Sequence, residues 1–251
     1  MNILFLRFAV FLCTMPFILN KPHRGTKLGP ERKNRKYRVL LLDNCPLVCK
    51  GLSMLLDREP DFSTYWHGQS YREALLQVRI GRVDLVIVGL QIEKISIFDL
   101  IKDIRNMNPR IQVVVYGSCY TDVYATRVLG VGARAFVRKS EPTEVLLTAI
   151  RLALKGEVYK SPSNNSEQKP NVFGKIFSDL DAQLPSLTNR ELEVFRMIGI
   201  GKTSPEMANE MGLGVKTVET YRGKIRKKLA LRNNTELIQA TFCWVQETMN
   251  Y

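Results

Sequence analysis

Residues 83–90, "VDLVIVGL", decide how the first half of the chain folds. Leu85, Val86, Ile87 and Val88 form an unbroken aliphatic run rich in β-branched residues, the composition of a strand covered on both faces. In an open α/β sheet such a strand delivers whatever follows it into the functional crevice. Here the delivered residue is Gly89, which has no side chain. The chain thus builds a well-formed strand and presents nothing at its end.

The surrounding sequence repeats the same unit. "YRVLLLD" (37–43) reads as a strand ending in an acid, followed by a helical stretch with Leu47, Val48, Leu52, Leu55 and Leu56 on one face. Phe62 to His67 is a second strand, with a helix around Tyr71 to Ile80. After the opening stretch comes a helix near Ile97 to Met107. "IQVVVYG" (111–117) and a helix from Thr121 to Leu129 follow. "ARAFVRK" (133–139) closes the series, with Pro142 expected in the first turn of a helix reaching about Lys155. Alternation of strands and helices at these lengths predicts a parallel sheet covered on both faces. "KSPSNNSEQKPN" (160–171) then loses all periodicity and collects Ser, Asn and Pro, as a linker does.

Length and composition fit this division. The 251 residues suffice for two domains, and 45% hydrophobic residues argue for a mostly folded protein. The net charge of +13 is unevenly spread: residues 1–38 carry nine Lys and Arg against one acid, and 186–251 carry ten against seven. The global charge is therefore a weak argument for nucleic acid, because the leading segment supplies most of it. Five scattered cysteines with no C-x-x-C spacing predict reduced thiols and no metal site. The first twenty residues are apolar but broken by Arg7 and Pro16, and their uncharged core, Phe8 to Leu19, is short for a membrane span. Two readings stay open for residues 1–36: a disordered or over-extended leader, or an anchor whose following basic run, Lys21 to Arg38, keeps the rest in the cytoplasm. Both expect cytoplasmic domains, with membrane contact confined to residues 1–20.

The C-terminal quarter is helical throughout. Thr188 followed by Glu191 predicts a capping box, with Leu192, Phe195 and Ile198 as the buried stripe. In "SPEMANEMG", Ser204 is expected as the N-cap, Pro205 at the first position and Gly212 as the stop. A tight turn leads into "VKTVETYRGKIRKKLA" (215–230), where Val218, Ile225 and Leu229 make one core-facing stripe. Its other faces hold Lys216, Arg222, Lys224, Arg226, Lys227 and Lys228, with Glu219 as the single acid. A basic face on an arbitrary helix is ordinarily just solvated surface. Directly after a capped short helix and a glycine turn, it is a helix-turn-helix whose second helix enters the major groove.

Over about fifty-five residues this segment, including E-L-E-V, T-V-E-T and N-T-E-L, closely resembles the LuxR/NarL-type helix-turn-helix of bacterial transcription regulators. The resemblance implies four helices, with base contacts at Glu219, Thr220 and Gly223 and phosphate contacts at Lys216, Thr217, Tyr221, Arg222 and Lys224. The last helix, from Thr235 to about Glu247, resembles the family's dimerisation helix, so double-stranded DNA and a second copy of the chain are the implied partners. Two departures stand out: Gly214 replaces a usual Ser N-cap, at a cost of a few tenths of a kcal/mol, and Tyr221 replaces a usual His.

Residues 37–159 correspondingly resemble the receiver domain of two-component regulators, a flavodoxin-like (βα)5 fold. An active receiver holds Mg²⁺ on acids after its first strand and takes a phosphoryl group on an Asp ending its third. A hydroxyl ends its fourth strand and a Lys its fifth. This chain has Asp43 followed by Asn44, Gly89 at the acceptor, Gly117 at the hydroxyl position and an intact Lys139. Gly89 cannot be phosphorylated, and Asp84 lies a strand's length away. Asp43 and Lys139 are expected to pair with each other. Phe136 keeps an aromatic where the family has its switch residue. The organisation expected is thus an extension (1–36), a receiver-like domain (37–159), a linker (160–185) and a helix-turn-helix domain (186–251). The function expected is a sequence-specific transcription regulator with a phosphorylation-incompetent receiver and no cofactor, controlled by protein contacts or abundance. A sensor kinase or other regulatory protein is the further partner considered. The alternative is a protein-interaction module with a vestigial DNA domain. An enzyme finds no nucleophile and base to work with, and the chain has only two histidines, His23 and His67.

Overall fold

The computed structural model describes residues 35–90, 92, 95–118, 122–162 and 183–248. Expectations for residues 1–34, for Thr121 as a helix start and for most of the linker lie outside these residues.

Six strands form one all-parallel sheet: β1 (Tyr37–Leu42), β2 (Phe62–Gly68), β3 (Leu85–Gly89), β4 (Gln112–Gly117), β5 (Ala135–Arg138) and β6 (Tyr159–Lys160), in the order β2-β1-β3-β4-β5-β6. Parallel strands need crossovers, and helices α1 (Pro46–Arg58), α2 (Tyr71–Ile80), α3 (Ile97–Met107), α4 (Asp122–Gly130) and α5 (Thr143–Leu154) supply them. The pleat divides the core in two. Leu40, Leu42, Val86, Val88, Val113 and Val115 point to one side with residues of α2, α3 and α4, while Val39, Leu41, Leu85, Ile87 and Val114 point to the other with α1 and α5. β3 is buried at all five positions, as its composition demands.

Three local expectations are corrected. Pro142 is the N-cap residue of α5 and not inside its first turn: its fixed φ of −54° fits either place, but ψ of 149° holds it outside the helix. Leu47 is 78% exposed, because α1 starts at Pro46 and its inward stripe begins at Cys49, two positions further round. The sheet also runs one strand past the expected linker start, since Tyr159 and Lys160 pair with Ala135 and Phe136. Ser161 is fully buried behind them and accepts a hydrogen bond from the Arg138 amide. Two residues are too few for periodicity to reveal a strand.

A 3₁₀ turn (Leu184–Ser186) leads into α6 (Asn189–Gly199), α7 (Ser204–Met211), α8 (Val215–Lys228) and α9 (Asn234–Thr248). Thr188 and Glu191 form the expected capping box on α6. The cap of α7 is Thr203 and not Ser204: Thr203 Oγ1 accepts from the Glu206 amide and Glu206 answers on the Thr203 amide. The spacing Thr203-x-x-Glu206 is the capping-box signature, and it outcompetes the lone serine. Gly212, at φ 64°, turns the chain left-handed after α7, a conformation that glycine alone reaches without steric cost. Between α6 and α9 a Cβ on Gly199 would stand 2.8 Å from the Thr241 carbonyl carbon, so these helices meet backbone to backbone. Phe195 and Trp244 pack edge to face beside that contact, with ring centroids 5.4 Å apart.

The helical bundle joins the receiver through one continuous apolar cluster and through polar contacts. Arg127 of α4 donates to the carbonyls of Leu184 (3.1 Å) and Pro185 (2.9 Å), and Arg190 of α6 pairs with Asp99 of α3 at 2.6 Å. Beside them Ser96 bonds the buried carboxyl of Glu193.

Candidate nucleic-acid interface

Helix α8 is amphipathic in the way the sequence requires. Val218, Ile225 and Leu229 are buried against α6 and α7, which fixes the opposite face outward. The turn before it, residues 212–214, is short because Gly212 reverses the chain in one step. Gly214 caps α8 with no side-chain hydrogen bond, so its first-turn amides keep their donors.

The outward face brings together Lys216, Thr217, Glu219, Thr220, Gly223 and Lys224, with Gly223 half-buried and the other five exposed. A Cβ built on Gly223 would meet no atom within 4 Å. The Thr220 hydroxyl donates to the Lys216 carbonyl at 2.9 Å. Two residues expected beside them sit differently. Tyr221 is half-buried against the core, with Lys224 Nζ 6.0 Å from its ring centroid. Arg222 has a side chain only 13% exposed, and its NH1 donates to Ser204 Oγ at 3.4 Å. The geometry therefore turns Arg222 toward α7, because its position lies one residue round from the open face. At the other end of the helix Lys228 donates to Glu191 Oε2 at 2.6 Å and to the Ser186 carbonyl at 3.0 Å, and so ties α8 to the start of α6. Burial is the largest influence on the Glu191 carboxyl and pushes it up, yet the bonds from Lys228 and Thr188 together hold it below the ordinary carboxylate value.

The receiver crevice is arranged in the opposite sense. Asp43, directly after β1, is 3% exposed. Its Oδ1 accepts from the Cys45 amide at 2.9 Å and its Oδ2 from Lys139 Nζ at 2.7 Å. A Cβ on Gly89 would stand 2.9 Å from Asp43 Cγ, and closer still to Oδ2. The Asp43 carboxylate thus fills the space in which an acceptor side chain would begin. A Cβ on Gly117 would stand 2.5 Å from Leu90 Cγ, so an apolar side chain takes the place of the hydroxyl. Asn44 is exposed beside this cluster. Hard divalent cations require several oxygen ligands, and Asp43, the one carboxylate among the described residues of the crevice, already has a partner on each oxygen, so these residues do not fit a Mg²⁺ site. Among the described residues no three His, Cys, Asp or Glu side chains gather in a metal-binding group, and no helix is long and apolar enough to cross a membrane.

Sequence reasoning missed what Leu90, Lys228 and Ser204 do, having placed Lys228 on the basic face and Ser204 at a cap. Only the last left a signal, since the capping box at Thr203 and Glu206 removes Ser204 from the cap.

A six-stranded parallel sheet flanked by five helices and joined to a bundle with an exposed helix-turn-helix defines a class, the response regulator built on a receiver and a DNA-binding domain. The comparisons give the family. Residues 39–151 match the response regulator receiver domain, and residues 185–241 match the bacterial regulatory proteins of the luxR family. The response regulator GacA of Pseudomonas protegens is 28% identical over 200 residues, covering 80% of this chain and 92% of its own. The transcriptional regulatory protein LiaR of Bacillus subtilis is 29% identical over 202 residues, covering 79% and 93%. RcsB of Salmonella enterica serovar Typhimurium, solved bound to the promoter rprA, shares the fold at 18% identity with a TM-score of 0.61, covering 83% of this chain and 99% of its own. The chain belongs to the LuxR-type response regulators, which are DNA-binding regulators of transcription and not enzymes.

Proposed function

We propose that this protein is a sequence-specific transcription regulator whose receiver is phosphorylation-incompetent, controlled by protein contacts or by its abundance. One observation carries the reading: the Asp43 carboxylate, bonded to Lys139, stands in the space that an acceptor side chain at Gly89 would need. Aspartyl phosphorylation requires a carboxylate nucleophile with a cation beside it, and neither has room. The DNA-reading face is Lys216, Thr217, Glu219, Thr220, Gly223 and Lys224, all exposed but the half-buried Gly223. Cations there neutralise phosphates, and groups one helical turn apart reach base edges. A homodimer through α9 is part of this reading, supported by Ile238 and Phe242, which lie one turn apart and are 50% and 52% exposed. Dimers of such domains read two-fold symmetric sites.

The test has two arms, both on the full chain. Incubation with acetyl phosphate and Mg²⁺ should leave the intact mass unchanged. Selection from a randomised duplex pool at physiological salt, without a phosphodonor, should enrich a two-fold symmetric sequence. Replacement of Lys216 or Lys224 by Ala should then lower the salt dependence of binding by about one counterion each. A phosphoryl adduct would overturn the first half of the proposal, and an unenriched pool the second.

A further inference from the structure

A carboxylate is an unusual group to bring to DNA, because the phosphates on either side of the groove repel it. Glu219 is the single acid on α8 and lies on the open face, 54% exposed. Its carboxylate is nevertheless held. The Ser204 hydroxyl, at the first residue of α7, donates to Glu219 Oε1. The same hydroxyl accepts from Arg222 NH1 at 3.4 Å, and Arg222 Nε lies 3.7 Å from Glu219 Oε2, buried and with no hydrogen-bond partner of its own. The three side chains therefore close a ring across the joint between the two helices of the helix-turn-helix. Ser204 is available for this because Thr203 performs the capping. Arg222 supplies a positive charge beside the carboxylate, and this offsets the repulsion of the phosphates.

An ionised carboxylate is an acceptor with about four lone-pair sites, of which Ser204 uses one. In the major groove the amino donors are cytosine N4 and adenine N6, and adenine sets its N7 acceptor beside N6 where it repels a second carboxylate oxygen. We infer that Ser204 and Arg222 are positioning residues that hold Glu219 to read a cytosine amino group in each half-site, so that base specificity is built partly on α7. This rests on the reading of α8 as the DNA-contacting helix. It also reassigns Arg222 from phosphate contact to support of the base reader.

The experiment uses the full chain and the duplex enriched from a randomised pool, together with its single-base substitutions. Wild type is compared with Glu219→Ala, Ser204→Ala, Ser204→Thr and Arg222→Ala, each checked for an unchanged circular dichroism spectrum. The expected result is that Glu219→Ala, Ser204→Ala and Arg222→Ala all flatten a preference for cytosine at one and the same position, each by roughly tenfold. Their salt dependence stays at the wild-type value, and Ser204→Thr, which keeps the hydroxyl, keeps the preference. If Ser204→Ala leaves the preference intact or weakens all duplexes equally while Glu219→Ala flattens it, the positioning role is overturned and the DNA reading stands. A lowered salt slope in Arg222→Ala with preference intact returns Arg222 to the phosphates and overturns its part. If a duplex is enriched but Glu219→Ala alters no base preference, the inference falls and the DNA reading stands; if no duplex is enriched at all, the inference falls together with the reading it rests on.

Discussion

The crevice at the end of β3 and the outer face of α8 hold similar chemical material in opposite states. Each has a carboxylate, a cation within reach and a glycine at the decisive position. In the crevice Asp43 is buried, both its oxygens are bonded, and the glycine is crowded by the very carboxylate beside it. On α8 the carboxylate of Glu219 is half in solvent, and the glycine at 223 faces empty space. Polar groups that have all their partners inside the protein stabilise it and do nothing further. Groups held in place with bonding capacity left over are the ones that recognise something. In the function we propose, what separates the idle crevice from the reading face is satisfaction, not residue type.

The comparison breaks most forcefully at Gly89. Restoring an acceptor by Gly89→Asp forces a side chain onto Asp43 and buries a second carboxylate beside it. It should destabilise the protein by more than about 3 kcal/mol in denaturant unfolding, and acetyl phosphate should still add no mass. A gain of stability or of phosphoryl mass would mean the crevice is more open than its contacts indicate. Lys139→Ala leaves Asp43 buried without its cation and should cost about 2–4 kcal/mol by the same measurement. Glu191→Gln removes the charge that Lys228 bonds and should cost about 1–2 kcal/mol at neutral pH. Because the Glu191 carboxyl is held below its ordinary value, that stability is present at neutral pH and is lost as pH falls through the lowered folded-state value. Glu193, two residues on, has the opposite sign: burial pushes its carboxyl up against the pull of Ser96, Arg190 and Arg196, so protonation favours the folded form. Glu193→Gln should therefore unfold at the same denaturant concentration or a higher one than wild type at neutral pH. The smallest effect is expected from Asp99→Asn, which cuts the partly exposed pair with Arg190 and should cost under about 1 kcal/mol in a thermal melt.

How far the sequence revealed this depends on the range over which each signal acts. The β3 run, the α8 stripe and the Thr188–Glu191 box are local patterns, and each appears in the structure where its pattern puts it. Gly89 at the end of β3 was equally plain, since losing a side chain needs no neighbour to be noticed. What filled the vacated space was hidden. Leu90 reaches into the place beside Gly117 across the sheet, and Asp43 approaches Gly89 from a strand 46 residues earlier. The ring of Ser204, Glu219 and Arg222 spans a helix joint in the same way, and composition cannot report a hydroxyl's direction. β6 escaped because its pairing partner, not its own sequence, makes it a strand. Leu47 was misplaced by two positions because the start of α1 sets the phase of its stripe, and Pro46 defines that start.

Gly223 also has a bearing on how such a protein changes over generations. A glycine in the interior of an exposed helix lowers stability by about 0.5–1 kcal/mol relative to alanine. Around this one there is no atom within 4 Å for a new side chain to strike. Almost any single replacement there except proline therefore adds helix stability while placing a new chemical group on the face we propose for DNA. Most positions that alter recognition tax the fold when they mutate, and this one rewards it. A lineage carrying this chain can explore new operators from residue 223 outward without first acquiring a stabilising change elsewhere.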